Sequence, residues 1–228
     1  MALGEAGAHI LVNGRNAASC KSSASRLRDN GISTDVCAFD ITVETAATDA
    51  AGKLADDGIV VDILVNNAGI QLRKPLTELA PQEFRSVLDT NLFGAYLTSR
   101  AFAPAMIAAE QGKIINICSL QSELGRPNIG AYSAAKGGLQ MLTRAMCAEW
   151  AGNNIQVNGI APGYFITELT KPLSDDPEFD SWIKARTPAG RWGSVDELAG
   201  TVVYLAARSS SFVNGHILFV DGGLRSVV

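Results

Sequence analysis

Ile114-Ile115-Asn116-Ile117-Cys118-Ser119, then Gln121-Ser122-Glu123-Leu124-Gly125-Arg126-Pro127, then Tyr132 and Lys136, form the stretch from which the rest of the chain is read. The run from Ile114 to Cys118 is short, β-branched and bounded by polar residues, which predicts a buried strand delivering Ser119 at its C-terminal end. Gly125, Pro127 and Gly130 break the chain, and the Ala-rich, apolar-periodic segment from Ala131 to Trp150 predicts a helix. Tyr132 and Lys136 stand four residues apart near its start, so phenol and ammonium share one helical face.

Outward from this stretch the same grammar repeats. Met1 to Ala6 reads as the end of a helix stopped by Gly7, His9 to Val12 as a strand, and Asn16 to Asn30 as a helix stopped at Gly31. Val36 to Phe39 and Asp62 to Val65 read as strands flanking a helix from Val43 to Asp57. A helix from Pro81 to Ala109 carries an expected break near Asp89-Thr90 and an expected bend at Pro104. Ile155 to Ile160 and Ile217 to Val220 read as strands, and Ser194 with Glu197 spells a capping box before a helix from Val195 to Ala207. Between them, residues 167–191 are looser in pattern, with a helix expected over Glu178 to Ala185, and read as a binding flap.

Strands alternating with helices imply an α/β fold, a doubly wound parallel sheet in a single domain. In such sheets ligands bind beyond the carboxyl ends of the strands, where Arg15, Asp40, Asn67, Ser119 and Pro162-Gly163 all fall.

Composition narrows the function. With 228 residues, 47% hydrophobic and 18% charged, the chain has the content of an ordinary globular domain. A net charge of −4 gives no electrostatic footprint for nucleic acid or an anionic membrane. Cys20, Cys37, Cys118 and Cys147 are scattered and read as buried thiols of a reducing cytoplasm. His9 and His216 form no metal-ligand cluster, and no apolar stretch is long enough to span a bilayer.

The Tyr132–Lys136 pair has a chemical use. Free tyrosine titrates at about 10, and bringing it ~2 units closer to neutral requires roughly 3 kcal/mol of preference for the phenolate. A lysine cation in a closed site supplies such a preference, and Ser119 then offers a hydrogen bond to a carbonyl or alcohol oxygen. Taken alone, the pair reads more readily as a helix-start aromatic and a solvated charge, because two-residue motifs recur by accident.

The wider pattern resolves this. Asn66-Asn67-Ala68-Gly69, Asn91 in its helix, Ser119 thirteen residues before Tyr132, Tyr132-x-x-x-Lys136, Pro162-Gly163 with Thr167, and Asp221-Gly222-Gly223 together resemble the short-chain dehydrogenase/reductase family of Rossmann-fold, NAD(P)-dependent enzymes. The resemblance implies that Tyr132 is the general acid/base, Lys136 tunes it and holds the nicotinamide ribose, Ser119 polarises the substrate oxygen, and Asn91 anchors a water of a proton relay. It also implies that Asn67, Ala68 and Gly69 line the cofactor with Pro162 and Gly163, that Asp40 and Ile41 touch the adenine, and that Phe165 and Thr167 hold the carboxamide. A homotetramer is implied as well, and the apolar content of residues 91–109 and 131–150 agrees with a second buried face. Within the family, residues 122–127, 187–193 and 211–216 are most similar to gluconate 5-dehydrogenases, implying D-gluconate and 5-keto-D-gluconate as reactants. A 3-oxoacyl thioester or another keto sugar acid stays open as substrate.

One departure from the family stands out. Its opening strand and glycine-rich T-G-x-x-x-G-x-G turn, whose amides cradle the pyrophosphate, are missing here. The expectation is a chain truncated before Met1, lacking the strand between those at His9 and Asp62, which leaves a non-catalytic scaffold as a competing reading.

Two arginines carry specificity expectations. Asn13-Gly14-Arg15 at the exit of the first strand offers a guanidinium suited to a 2′-phosphate, which points to NADP over NAD. Arg73 follows Gly69 by four residues and is placed to hold a sugar-acid carboxylate through two parallel hydrogen bonds, while Gln121, Ser119 and Tyr132 meet the other end. A solvated role for either arginine stays open.

Overall fold

A computed structural model of the chain describes residues 1–227. Helix α1 (Ala2–Glu5) is stopped at Gly7, which takes the left-handed conformation at φ 97°. Strand β1 (Ile10–Val12) leads into α2 (Ala17–Asp29), whose Asn16 cap accepts a hydrogen bond from the Ser19 amide at 3.0 Å. There follow β2 (Thr34–Val36), α3 (Glu44–Asp56), β3 (Ile63–Asn66) and α4 (Pro81–Leu88). A five-residue π-helical turn, Asp89–Phe93, joins α4 to α5 (Gly94–Ala108), the break expected at Asp89-Thr90. Pro104 lies inside α5, which is continuous through it.

The second half carries β4 (Gly112–Ile117), α6 (Gly130–Trp150) and β5 (Ile155–Pro162). The flap folds as α7 (Lys171–Ser174) and α8 (Pro177–Arg186), and α9 (Ala199–Ala206) and β6 (Ile217–Val220) close the chain. Glu197 reaches back to the Ser194 amide at 2.8 Å as the capping box requires, though the first turn after it, Val195–Leu198, is a 3-10 turn.

All strand pairings are parallel, in two sheets: β1 with β2, and β3-β4-β5-β6. Among the described residues, β1 and β3 each have one edge without a partner strand. Neighbouring residues of β4 point to opposite faces, as a pleated strand demands. Ile114 packs with Met106 of α5, Met146 of α6, Ile155 and Val157, whereas Ile115 packs with Ile160 and Leu205 of α9. Helices thus cover both faces of the four-stranded sheet.

Two expectations need correction. The second strand lies at Thr34–Val36, not Val36 to Phe39, because Thr34 pairs with Ile10 and its hydroxyl donates to the Ile10 carbonyl at 2.7 Å; pairing outweighs local hydrophobicity. The β4 run is also not purely apolar. Asn116 is fully buried in it, accepting from Asn66 Nδ2 at 2.8 Å and donating to Thr143 Oγ1 at 2.9 Å, while Asn66 also donates to Ser99 at 3.0 Å. This chain of amides and hydroxyls ties β3, β4, α5 and α6 together just below the strand exits, with these amide donors satisfied in the interior.

Candidate active site

The end of β4 presents Ser119 in extended backbone, φ −163°, followed by a tight 3-10 turn over Leu120–Ser122. The Gln121 amide donates to Ser119 Oγ at 3.1 Å, and the Ser119 amide donates to Ser122 Oγ at 3.2 Å, so the hydroxyl is fixed by its own turn. Across from it, α6 is seated by Ala131 and Ala135 against Val87 of α4, which sets the rotation that turns Tyr132 toward Ser119.

Lys136 is 3% exposed and donates to the Ile117 carbonyl at 2.5 Å, binding the helix to the strand end that carries Ser119. Its ammonium is 5.7 Å from the Tyr132 ring centre. Burial pulls Lys136 down to about 8, with the neighbouring Cys118 thiol acting the other way. The same burial pushes Cys118 up to about 11.

Tyr132 corrects a further expectation, that the Lys136 cation lowers its phenol. Its phenol is raised above the ordinary value, because burial outweighs the hydrogen bond from Ser119 that favours the phenolate. The Lys136 ammonium is directed at the Ile117 carbonyl rather than the phenol oxygen, which is why proximity in sequence does not translate into a lowered value here.

Asn91 is 1% exposed inside the π-helical turn. Its Nδ2 donates to the Ile70 and Val87 carbonyls, each at 2.8 Å, while Oδ1 is buried without a partner. A side chain at Gly69 would place Cβ 2.6 Å from that Oδ1. Only glycine there leaves the acceptor open toward the Asn67-Ala68-Gly69 loop, itself exposed at the end of β3.

The remaining residues expected at the cofactor divide by sheet. At the two-stranded sheet, Asn13 donates to the Cys37 and Phe39 carbonyls at 2.9 and 3.2 Å, and Arg15 is exposed. Asp40 is held below the usual carboxylate range by the amide and hydroxyl of Thr42 at 2.9 and 2.7 Å, with the Arg15 charge adding to it. Ile41 packs against Gly94, where any side chain would collide with it. At the four-stranded sheet, Gly163 follows β5 so closely packed on Asp221 that a Cβ would sit 2.7 Å from the Asp221 Cα. Thr167 and Thr170 share a hydroxyl–hydroxyl hydrogen bond of 2.9 Å. Phe165 is buried and pairs its backbone with Gly193, so its side chain serves packing.

A cavity of about 70 Å³ opens on Ser119 and Tyr132, and Gln71, Arg73, Gln121, Arg126 and Tyr164 line it, with Leu169 and Leu173 of the flap over them. Arg73 donates to the Leu169 carbonyl at 2.9 Å, and burial together with the Arg126 charge lowers it. A larger open cleft of about 530 Å³ lies along the flap at Thr167, but its charged residues are largely engaged with one another, Lys171 with Asp175 and Lys184 with Asp180. The smaller cavity is the one that meets the reactive groups.

Sequence reasoning reached Arg73 and Gln121 and missed Gln71, Arg126 and Tyr164 as lining residues. Their convergence comes from three separate strand exits, and no local spacing announces it. The only local signal was the polarity of the Gln121 to Arg126 loop.

Comparison with known proteins gives a consistent set. A family model described as enoyl-(acyl carrier protein) reductase matches residues 1–225. The chain is 46% identical over 218 residues to a gluconate 5-dehydrogenase of Gluconobacter oxydans, covering 96% of this chain and 85% of that one. It is 47% identical over 222 residues to a 5-keto-D-gluconate 5-reductase of Escherichia coli K12, covering 97% and 87%. A solved structure of a gluconate 5-dehydrogenase from Burkholderia cenocepacia J2315, in complex with NADP and tartrate, superposes with a TM-score of 0.97 at 50% identity, covering 100% of this chain and 89% of that one.

Proposed function

The chain belongs to the short-chain dehydrogenase/reductase family of NAD(P)-dependent oxidoreductases, and on that premise we propose that it interconverts D-gluconate and 5-keto-D-gluconate with NADP. The observation that carries the substrate class is the cavity over Ser119 and Tyr132: two guanidiniums line it and no carboxylate does. A sugar acid supplies the missing charge, and its hydroxyls suit Gln71, Gln121 and Tyr164. An acyl thioester offers this cavity neither.

The residues present fit a dinucleotide. Asn67, Ala68 and Gly69 form an open shelf at the end of β3 that has no room for a side chain at Gly69, and Arg15 and Asp40 flank the end of the two-stranded sheet. Asn13, Arg15, Asp40 and Ile41 would hold the adenosine end, and Pro162, Gly163, Phe165 and Thr167 the nicotinamide end. When bound, the cofactor supplies the hydride acceptor or donor.

In the oxidative direction Ser119 Oγ donates a hydrogen bond to the substrate oxygen and Tyr132 Oη takes the hydroxyl proton. In the reductive direction Tyr132 returns that proton. Lys136 fixes the end of β4, and with it Ser119, against α6 through its hydrogen bond to the Ile117 carbonyl. Asn91, with its open buried acceptor, holds a donor at the back of the site.

We read residues 1–228 as one cofactor-binding domain with a substrate flap over about 167–191. The protein acts in the cytoplasm as a homotetramer. Four free cysteines support a reducing compartment, and no helix among the described residues is long and apolar enough to cross a membrane. Phe93 at the end of the π-helical turn and Tyr96 of α5, stacked at 5.7 Å, and Met141 on α6 are exposed apolar groups that a subunit contact would cover; light scattering that reports a monomer would remove the assembly.

The test of the substrate is a kinetic panel of gluconate, other aldonates and glucitol against NADP and NAD. Arg73→Ala is expected to cost at least ~10-fold in kcat/KM on gluconate, about 1.4 kcal/mol, and little on glucitol. Faster turnover of an uncharged alcohol than of any aldonate by the unmodified protein would overturn the reading.

A further inference from the structure

Arg126 has no role in the reading above beyond its place in the cavity wall. It sits on the loop after β4, and among the described residues it makes no salt bridge; neither does Arg73, which comes from the loop after β3. The two cations nevertheless line the same small cavity with Tyr164, whose phenol is raised by burial while the charges of Arg126 and Arg73 oppose that rise. Like charges sharing a partly desolvated space repel, and this arrangement is unfavourable until an anion enters.

Arg126 is also held in place. Its guanidinium lies 5.1 Å from the centre of the Phe179 ring, and Phe179 belongs to α8 of the flap and packs on Tyr164 at 5.7 Å between centres. On the other side, Gln121 Nε2 reaches the Tyr164 hydroxyl at 3.4 Å while Gln121 Oε1 is buried with no partner. That orphan acceptor, in the wall of the same cavity, has a partner to gain from a substrate hydroxyl. The wall therefore presents, besides Arg73, a second cation and a vacant acceptor on the loop after β4 and a hydroxyl on the loop after β5.

We propose that Arg126, positioned by Phe179 and Tyr164, is a specificity-determining residue that makes this cavity select polyhydroxy acids over uncharged polyols. This rests on the sugar-acid reading in part, since it names the second cation of the same cavity, but it requires only that the ligand be an anionic polyol and not that it be gluconate. A carboxylate entering between two guanidiniums relieves their repulsion, so the second cation contributes to discrimination more than an isolated surface arginine does. Its contribution also depends on the flap, because Phe179 comes from α8.

The test is calorimetric titration of the NADP-saturated protein with gluconate, galactonate and glucitol, for the unmodified chain, Arg126→Gln and Arg126→Lys. Arg126→Gln is expected to weaken both acids at least ~10-fold and glucitol less than ~2-fold, with Arg126→Lys intermediate. Equal weakening of acids and glucitol would make Arg126 a packing residue and overturn the proposal, as would unchanged affinities or an unmodified protein that binds none of the three. Arg126-dependent binding of galactonate with no binding or turnover of gluconate would keep the proposal and overturn the gluconate reading, so the two fail separately.

Discussion

The two sheets of this molecule are built to different standards. In the four-stranded sheet β5 runs eight residues, seven of them buried, and β4 is covered by α5 and α6 on one face and α9 on the other. In the two-stranded sheet each strand has three residues, and of the six only Thr34 is buried. At the first sheet Ser119, Lys136 and Asn91 are held by hydrogen bonds and Tyr132 by packing on the Val87 cluster; the second places Asn13 and Arg15 on an exposed rim beside the half-buried Asp40. Proton transfer depends on sub-ångström placement, whereas contact with a cofactor's distal end is a matter of charge and reach. Burial is deepest where we propose the proton transfer to lie.

The sharpest way to break this contrast is at Tyr132. Tyr132→Phe removes one oxygen from the deeply buried half and is expected to lower kcat by about 10²–10⁴-fold. NADP affinity, set at the strand exits, should change less than ~2-fold by fluorescence titration. Retained turnover would take the proton transfer away from the four-stranded sheet.

Hydrogen exchange tests the contrast directly. Amides of β4 and β5 are expected to exchange about 100-fold more slowly than those of β1 and β2, because strands with one partner and little cover open without unfolding the core. Uniform protection across both sheets, measured by mass spectrometry, would show that the small sheet is as firmly held as the large one.

The same division explains what the sequence made legible. Apolar runs and helical patterns are strong where burial is deep, so β4, β5 and α6 follow from pattern, while the roles of Ser119, Tyr132 and Lys136 on them come from the family resemblance and not from their spacing alone. In the small sheet Thr34-Asp35-Val36 is polar enough that the more apolar Val36 to Phe39 looked like the strand, and only the pairing with Ile10 places it correctly. Asn116 stands in plain view in the β4 run, but its role as a buried link does not, because its partners Asn66 and Thr143 lie far away in the chain. Arg126 and Tyr164 reach the cavity from loops whose meeting is a property of the sheet order, and the raised Tyr132 phenol depends on where the Lys136 ammonium points. These are tertiary facts with no one-dimensional trace.

Cofactor choice is expected to depend on the exposed rim. Arg15 lies close enough to Asp40 to bias it, yet makes no ion pair among the described residues. Arg15→Ala should raise the KM for NADP by about 10-fold and that for NAD by less than ~2-fold, as a guanidinium meeting a 2′-phosphate would. Equal effects on both cofactors would remove Arg15 from that contact and leave the rim without a selectivity role.

The smallest effect concerns the cost of the deeply buried half. Lys136 titrates at about 8 in the folded protein against an ordinary value of 10.5, because burial penalises the ammonium. Between those values the unfolded chain binds more protons than the folded one, so stability from this group rises with pH; below pH 8 the full penalty is present. Over pH 8 to 9 the gain is about 1 kcal/mol, or roughly 2–4 °C in Tm for a chain of this size. Cys118, raised to about 11, acts in the opposite sense, mainly above pH 9, which makes pH 8 to 9 the informative window. Lys136→Met keeps the stem's packing, removes the buried charge, and should abolish turnover while raising Tm at pH 7. The difference in Tm between the two proteins should then narrow as pH rises from 8 to 9. A constant difference across that window, followed by thermal melts at closely spaced pH values, would mean that the ammonium is solvated in the folded state and that the catalytic half carries no electrostatic penalty at Lys136.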